Sequence, residues 1–243
     1  MFRHIGKTRT YIHNARLAAI LSFIAGIVNI TGLLSARTLT TNVTGHFAYF
    51  AEEVVNQNYA IAFIYLFFIL SFLFGSFVSN LLIEIVSRIK PQQSFLLPMI
   101  LEIILLSFVA LFGTRSLFSN YDGQLIAYTL LFSMGLQNSL VTKVSQSVVR
   151  TTHLTGLFTD LGIELSQLFF YRHEAELKNL RKSIYLRLTI ISFFFTGCIA
   201  GGFYFKTLEL KTLLIASAFL VLALFYDYLI FNFYNLKRKV FLR

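Results

Sequence analysis

Residues 40–53 read TTNVTGHFAYFAEE, and residues 151–164 read TTHLTGLFTDLGIE. Each contains T-x-x-T-G-x-F, from Thr41 to Phe47 and from Thr152 to Phe158, and each runs on into acids: Glu52 and Glu53 in the first, Asp160 and Glu164 in the second. The likeness extends upstream. Gly26 to Asn29 read GIVN and Gly135 to Asn138 read GLQN, both inside apolar runs. Each half therefore has Gly-x-x-Asn in an apolar segment, the T-x-x-T-G block, an acid, and two more apolar segments. Self-similarity of this kind points to an architecture built from repeats.

The apolar segments fix the class. Of the 243 residues, 56% are hydrophobic and only 13% charged, where a soluble domain carries about a quarter charged residues. That is too little charge to cover a water-facing surface, and the mean hydropathy is +0.71. The apolar runs are long and lack the strict alternation of barrel strands, so the expected fold is an all-α, polytopic helical membrane protein. The net charge of +10 does not call for nucleic acid, because membrane proteins collect Lys and Arg in cytoplasmic loops. The single Cys198 excludes an internal disulfide and a cysteine-based metal site. The basic N-terminal stretch lacks a signal-peptide cleavage pattern and reads as a cytoplasmic tail.

Six segments are long enough to span: about 16–36, 59–86, 94–114, 123–143, 184–205 and 211–234. With the N-terminus inside, 17 of the 21 Lys and Arg residues fall on the inner side, and only Arg37, Arg115, Lys206 and Lys211 fall outside. This bias favours six spans with both ends cytoplasmic. A rival reading lets 41–56 and 152–170 also cross, giving eight spans, and it distributes the basic residues less well. The charged stretch FYRHEAELKNLRKS (170–183) reads as a cytoplasmic connector of helical character. Three spans per half is an odd number, so the second half is expected to be inverted relative to the first. The domain reading is one membrane domain over 1–243, with repeat 1 at about 16–114 and repeat 2 at about 123–234. Each repeat carries an additional short polar or re-entrant helix. At 1.5 Å per residue, Asn29 and Asn138 stand about 20 and 22 Å into their spans.

The blocks AGIVNITGLL, TNVTGH, GLQN and RTTHLTGLFTDLG resemble the YoaK-like family of bacterial multi-pass membrane proteins of unknown function, over nearly the whole chain. The resemblance implies a membrane location, in bacteria the cytoplasmic (inner) membrane, and a duplicated fold. Two positions depart from the family pattern, Asn29 where an Asp is usual and His46 where an Asn is usual. A proton-coupling acid at position 29 is therefore absent from this chain.

Inverted repeats interrupted by polar, Gly-containing segments mark transporter sites. On that ground the candidate substrate-binding residues are Asn29, Thr41, Thr44, Gly45, Asn138, Arg150, Thr152, Thr155 and Gly156. Thr hydroxyls at i and i+3 share a helix face, and Gly permits close backbone approach. The same residues can equally serve helix packing. Glu102 lies within a span and is a candidate for ion or proton coupling, with Arg88 and Lys90 as reachable partners by snorkelling. Asp160 and Glu164, at i and i+4 on one helix face, are further coupling candidates or a solvated face. Glu84 and Asp227 lie nearer span boundaries. His46 and His153 do not make a metal site without further ligands. The spacing of Ser71, Gly75 and Ser79, and of Gly197 and Gly201, marks small-residue packing faces, which leave room for a homodimer.

The sequence contains no H-E-x-x-H, G-x-S-x-G or phosphate-binding Walker loop, so neither enzyme nor intrinsic ATPase is expected. No metal or cofactor is expected either. The expected function is a permease for a small polar solute, with the lipid bilayer as its surroundings and a midplane site formed by the two T-x-x-T-G segments. The alternative is a non-transporting membrane assembly or regulatory module in which the polar motifs contact only protein.

Overall fold

The computed structural model describes Phe2 and residues 10–113 and 122–241, with side chains throughout except at 92, 122 and 230–241. Arg3, Lys7, Arg9, Arg115 and Arg243, which enter the charge count above, lie outside the described residues. All regular structure among the described residues is helical: α1 (Tyr11–Ala36), α2 (Val43–Val55), α3 (Tyr59–Ser87), α4 (Leu96–Phe112), α5 (Asp122–Ser145), α6 (Leu154–Gln167), α7 (Glu174–Leu208) and α8 (Leu213–Phe241). Each of the six apolar segments falls on one long helix, and α2 and α6 carry the two motif copies. The charged connector at 170–183 is not separate. From Glu174 onward it forms the first turns of α7, with Glu174 and Glu176 at the N-terminus and Lys206 near the C-terminus, a charge order that complements the helix dipole. Pro98 sits in the first turn of α4, where its missing N–H has no intrahelical acceptor to lose.

Four segments are long and apolar enough to cross a membrane: Tyr11–Ala36, Tyr59–Ser87, Gly123–Ser145 and Glu174–Leu229. The last contains α7 and most of α8, joined by a 3-10 turn at Glu209–Thr212. The shorter apolar helix α4 packs beside them. These helices identify a membrane protein. Large apolar side chains such as Phe63, Phe67, Phe74, Phe77 and Phe195 stand outward, more than half exposed, where a soluble protein would bury or thin out such a surface.

The long helices alternate in direction. At one end, the near end, Arg16 donates to the Tyr226 hydroxyl at 2.8 Å and Lys143 pairs with Glu84 at 2.6 Å. There the ring of Phe2 stacks on Phe95, and its backbone N–H donates to Asp227 Oδ1 at 3.0 Å. At the far end Gly123 lies against Ala36, and Gly113 against Leu210. The packing window of α1 is 67% buried and that of α3 22%, so α1 is the central helix and α3 a peripheral one.

Two close crossings organise the bundle. A Cβ on Gly26 of α1 would stand 2.2 Å from the Phe194 carbonyl oxygen of α7, and one on Gly197 of α7 would stand 2.2 Å from the Phe23 carbonyl of α1. The α3–α5 crossing repeats the device. Gly75 faces the Phe132 carbonyl at 2.0 Å and Gly135 the Phe72 carbonyl at 2.2 Å by the same construction. Only glycine allows backbones this close. The small-residue faces around Gly75 and Gly197 are thus occupied inside the chain.

Candidate functional site

Each Gly-x-x-Asn segment ends with an asparagine that receives the chain coming back from its own helix. After α1 a left-handed residue, Arg37, turns the backbone. Thr41 then donates from its N–H (3.2 Å) and its hydroxyl (3.0 Å) to Asn29 Oδ1. After α5 two left-handed residues, Gln146 and Ser147, make the turn, and the Thr152 hydroxyl donates to Asn138 Oδ1 at 3.0 Å. Asn29 precedes the end of α1 by seven residues and Asn138 precedes the end of α5 by seven. In both copies the short helix therefore starts about 10 Å below the end of the preceding long one.

From that depth α2 returns along the first half of α3. His46 packs edge-on against Phe68 at 5.3 Å, and Tyr49 stacks on Tyr65 at 5.2 Å. The His46 Nε2–H donates to the Leu39 carbonyl at 2.9 Å. Burial pushes its imidazole below the ordinary histidine value, partly offset by that bond. The counterpart α6 returns along the first half of α7. There Arg187 holds Glu164 through two hydrogen bonds of 2.8 Å and reaches Asp160 Oδ2 at 3.1 Å. Ser183 donates to Glu164 as well, at 2.6 Å. Glu53, the counterpart of Glu164, instead accepts from its neighbour Asn58 at 2.9 Å.

The helix starts differ. Asn42 caps α2 by accepting the Gly45 N–H at 3.0 Å. His153 occupies the same position before α6, and its side chain makes no capping bond. Instead its ring lies over Gly156, where a Cβ would meet it at 2.2 Å.

The candidate residues separate into groups. Asn29 with Thr41, and Asn138 with Thr152, form the two pinning pairs. Thr44 and Thr155 are exposed. Arg150, Gly156 and Asp160 line a cavity of about 320 Å³ between the 146–153 loop, α6 and α7, together with His153, Ser183 and Arg187. Asn138 lines a second, more open cavity of about 610 Å³ between α3 and α5, with Ser76, Asn80 and Thr142. Ser147 borders both cavities. The two asparagines do not meet. Gln137 donates to the Leu21 carbonyl at 2.6 Å and Leu130 lies by Gly32, so α5 runs antiparallel to α1. That register separates Asn29 from Asn138 by about 12 Å along the axis.

Glu102 is fully buried, and neither carboxylate oxygen has a hydrogen-bond partner among the described residues. It shares a helix face with Met99 and Leu106, both in the main core. Arg88 and Lys90 are exposed and do not bond to it. The described residues contain no cluster of three metal-ligating side chains.

Asn80, Ser183 and Arg187 are cavity residues that the sequence reading passed over. Asn80 is the one amide in the apolar run of α3 and lies four residues from Ser76, a signal that was available. Arg187 reads as one of many basic residues until its two carboxylate partners are seen.

A protein-family profile described as "Protein of unknown function (DUF1275)" matches residues 17–226. The chain belongs to this family. No curated protein and no solved structure matches it. The match spans both motif copies, the whole of α3, α4, α5 and α7, and parts of α1 and α8, so both asparagine–threonine pairs and both cavities lie within the family region.

Proposed function

We propose that this family member is a secondary transporter for a small polar solute, with six spans arranged as two inverted three-span repeats. The observation that carries the reading is the pair of helices that begin inside the bundle. A backbone that turns back about 10 Å below a helix end is tolerated at membrane depth only where protein buries it or where it lines a cavity, and half-helices starting at such depth build the solute sites of transporters. In the second copy that start borders one polar cavity, and the loop leading to it borders a second.

The alternating helix directions and the matched crossings, α1 on α7 and α3 on α5, support the inverted repeat. The near end, rich in Arg and Lys, is then cytoplasmic. The solute site is at the second motif, with Arg150, Gly156 and Asp160 as contacts, while Asn138 and Thr152 hold the loop. Glu102 is the coupling group. An unpartnered carboxylate at such a position costs several kcal/mol when ionised, which suits a group that takes up and releases a proton during the cycle.

The alternative of a non-transporting module has one observation in its favour, that the Thr41 and Thr152 hydroxyls are spent on protein. The deciding experiment is uptake of a panel of labelled solutes into proteoliposomes containing the purified chain, with and without an imposed pH gradient. Gradient-dependent accumulation of one solute supports transport. No accumulation above protein-free vesicles, with the same protein intact and correctly inserted, favours the module.

A further inference from the structure

The cavity beside α6 holds one uncompensated charge of each sign. Arg187 and Glu164 are matched by two hydrogen bonds, and Ser183 adds a third to the carboxylate. Glu164 is thereby satisfied and its charge cancelled. Asp160 has a single 3.1 Å contact to a guanidinium already held by Glu164, and its side chain is 51% exposed. The negative charge left over from this trio rests on Asp160. Arg150, on the loop side of the same cavity, is exposed and has no ion pair among the described residues. Beside it the uncapped start of α6 adds unspent backbone N–H groups.

We infer that this cavity binds a small zwitterion with one carboxylate and one ammonium group, of the α-amino-acid class; this rests on the transporter reading above and names its solute. The carboxylate lies against Arg150 and the open N–H groups near Gly156, where a helix N-terminus favours an anion. The ammonium lies against Asp160, one turn further along α6, about 6 Å. A plain anion would meet Asp160 and a plain cation would meet Arg150, whereas a zwitterion satisfies both. The volume of about 320 Å³ lies at the lower end of the range for small-molecule sites. The first motif has no equivalent charge pair, because Asn42 closes its helix start and Glu53 is turned to Asn58. The site therefore belongs to the second repeat.

The test is thermal unfolding of the full chain in detergent with alanine, leucine and phenylalanine, each beside the amine lacking its carboxylate and the acid lacking its amine. A ligand that binds only the folded state raises the melting temperature with concentration. The expected result is a rise with at least one amino acid and none with its two single-charge analogues. Arg150→Gln and Asp160→Asn are each expected to weaken that binding by about tenfold or more. Both side chains are exposed, so both variants should melt near the parent temperature without ligand. The inference is overturned if the acid alone binds as well as the amino acid and Asp160→Asn changes nothing, or if no amino acid shifts the transition. Uptake of the same compounds separates this from the transporter reading. Binding without uptake leaves the zwitterion site standing and removes transport, whereas uptake of another solute class without amino-acid binding removes the site assignment alone.

Discussion

Thr152 reaches back to Asn138, hydroxyl to carbonyl at 3.0 Å, and that bond ties the far end of the loop bordering the two polar cavities to α5, while Ser145 and Val149 close its near end. The first repeat makes the same bond between Thr41 and Asn29 but adds the Thr41 N–H to the same oxygen. The difference makes a prediction. Thr152→Val leaves Asn138 Oδ1 without its donor, and a lost interhelical bond in a membrane protein costs about 0.6–2 kcal/mol. Thr41→Val leaves Asn29 with a backbone donor and should cost less. Unfolding in mixed micelles should rank Thr152→Val as the more destabilising; equal losses would mean that the hydroxyls are not what holds the loops.

The glycine crossings make a second prediction. A methyl group at Gly75 or Gly197 would stand within about 2.2 Å of a carbonyl oxygen on the facing helix, so the helices must separate. Overpacking of this kind costs about 1–3 kcal/mol. Gly75→Ala and Gly197→Ala should each lower the melting temperature, while Gly162→Ala, which meets nothing within 4 Å, should leave it unchanged or raise it slightly. A tolerant Gly197 would argue against the tight α1–α7 contact.

The long apolar helices and the two short helices were legible because each leaves a local trace: an extended apolar run, or T-x-x-T-G after Gly-x-x-Asn. Partnerships were not. Nothing local says that Asn29 bonds Thr41 rather than Asn138, since that depends on how far the loop folds back. Nothing in GCIAG says that Gly197 meets Phe23. The helical character of 174–183 was legible but not its continuity with the apolar run that follows, although acids first and bases later is the pattern of a helix N-terminus. Asp160 and Glu164, one turn apart, could have signalled a basic partner, but not which of the many basic residues it is.

The α6–α7 ion cluster gives a third prediction. Arg187→Met leaves Glu164, 12% exposed, without its guanidinium, and loss of a charged hydrogen-bond pair costs about 1.5–3 kcal/mol. Asp160→Asn removes one contact at a half-exposed side chain and should cost well under 1 kcal/mol. Chemical unfolding of the two variants should show this order. A larger loss from Asp160→Asn would place the structural role on Asp160 and take it away from ligand binding.

Glu102 gives a fourth. Glu102→Met removes a buried carboxyl with no partner among the described residues and replaces it with an apolar chain of similar size. Removing an unsatisfied polar group is neutral or stabilising, so the melting temperature should hold or rise. If Glu102 couples transport to protons, the same variant and Glu102→Gln lose accumulation driven by a pH gradient and keep exchange of solute across the membrane. Loss of stability in Glu102→Met would instead reveal a structural partner for the carboxyl.

The inverted arrangement is checked by thiol labelling from each side of the membrane. In a Cys198→Ser background, a single cysteine replaces Gln57, exposed between α2 and α3, or Arg172, exposed between α6 and α7. These turns are the equivalent ends of the two short helices. In inverted repeats they lie on opposite faces, and on the proposed orientation, with the end rich in Arg and Lys inside, 172 is the cytoplasmic one. A membrane-impermeant maleimide added to intact cells should therefore label position 57 and leave 172 unlabelled until the membrane is opened. Labelling of neither until the membrane is opened would require that the chain cross the membrane once more between 57 and 172, as in the eight-span layout. The two motif helices would then point the same way, and a site shared by alternating exposure of two inverted halves would lose its geometric basis.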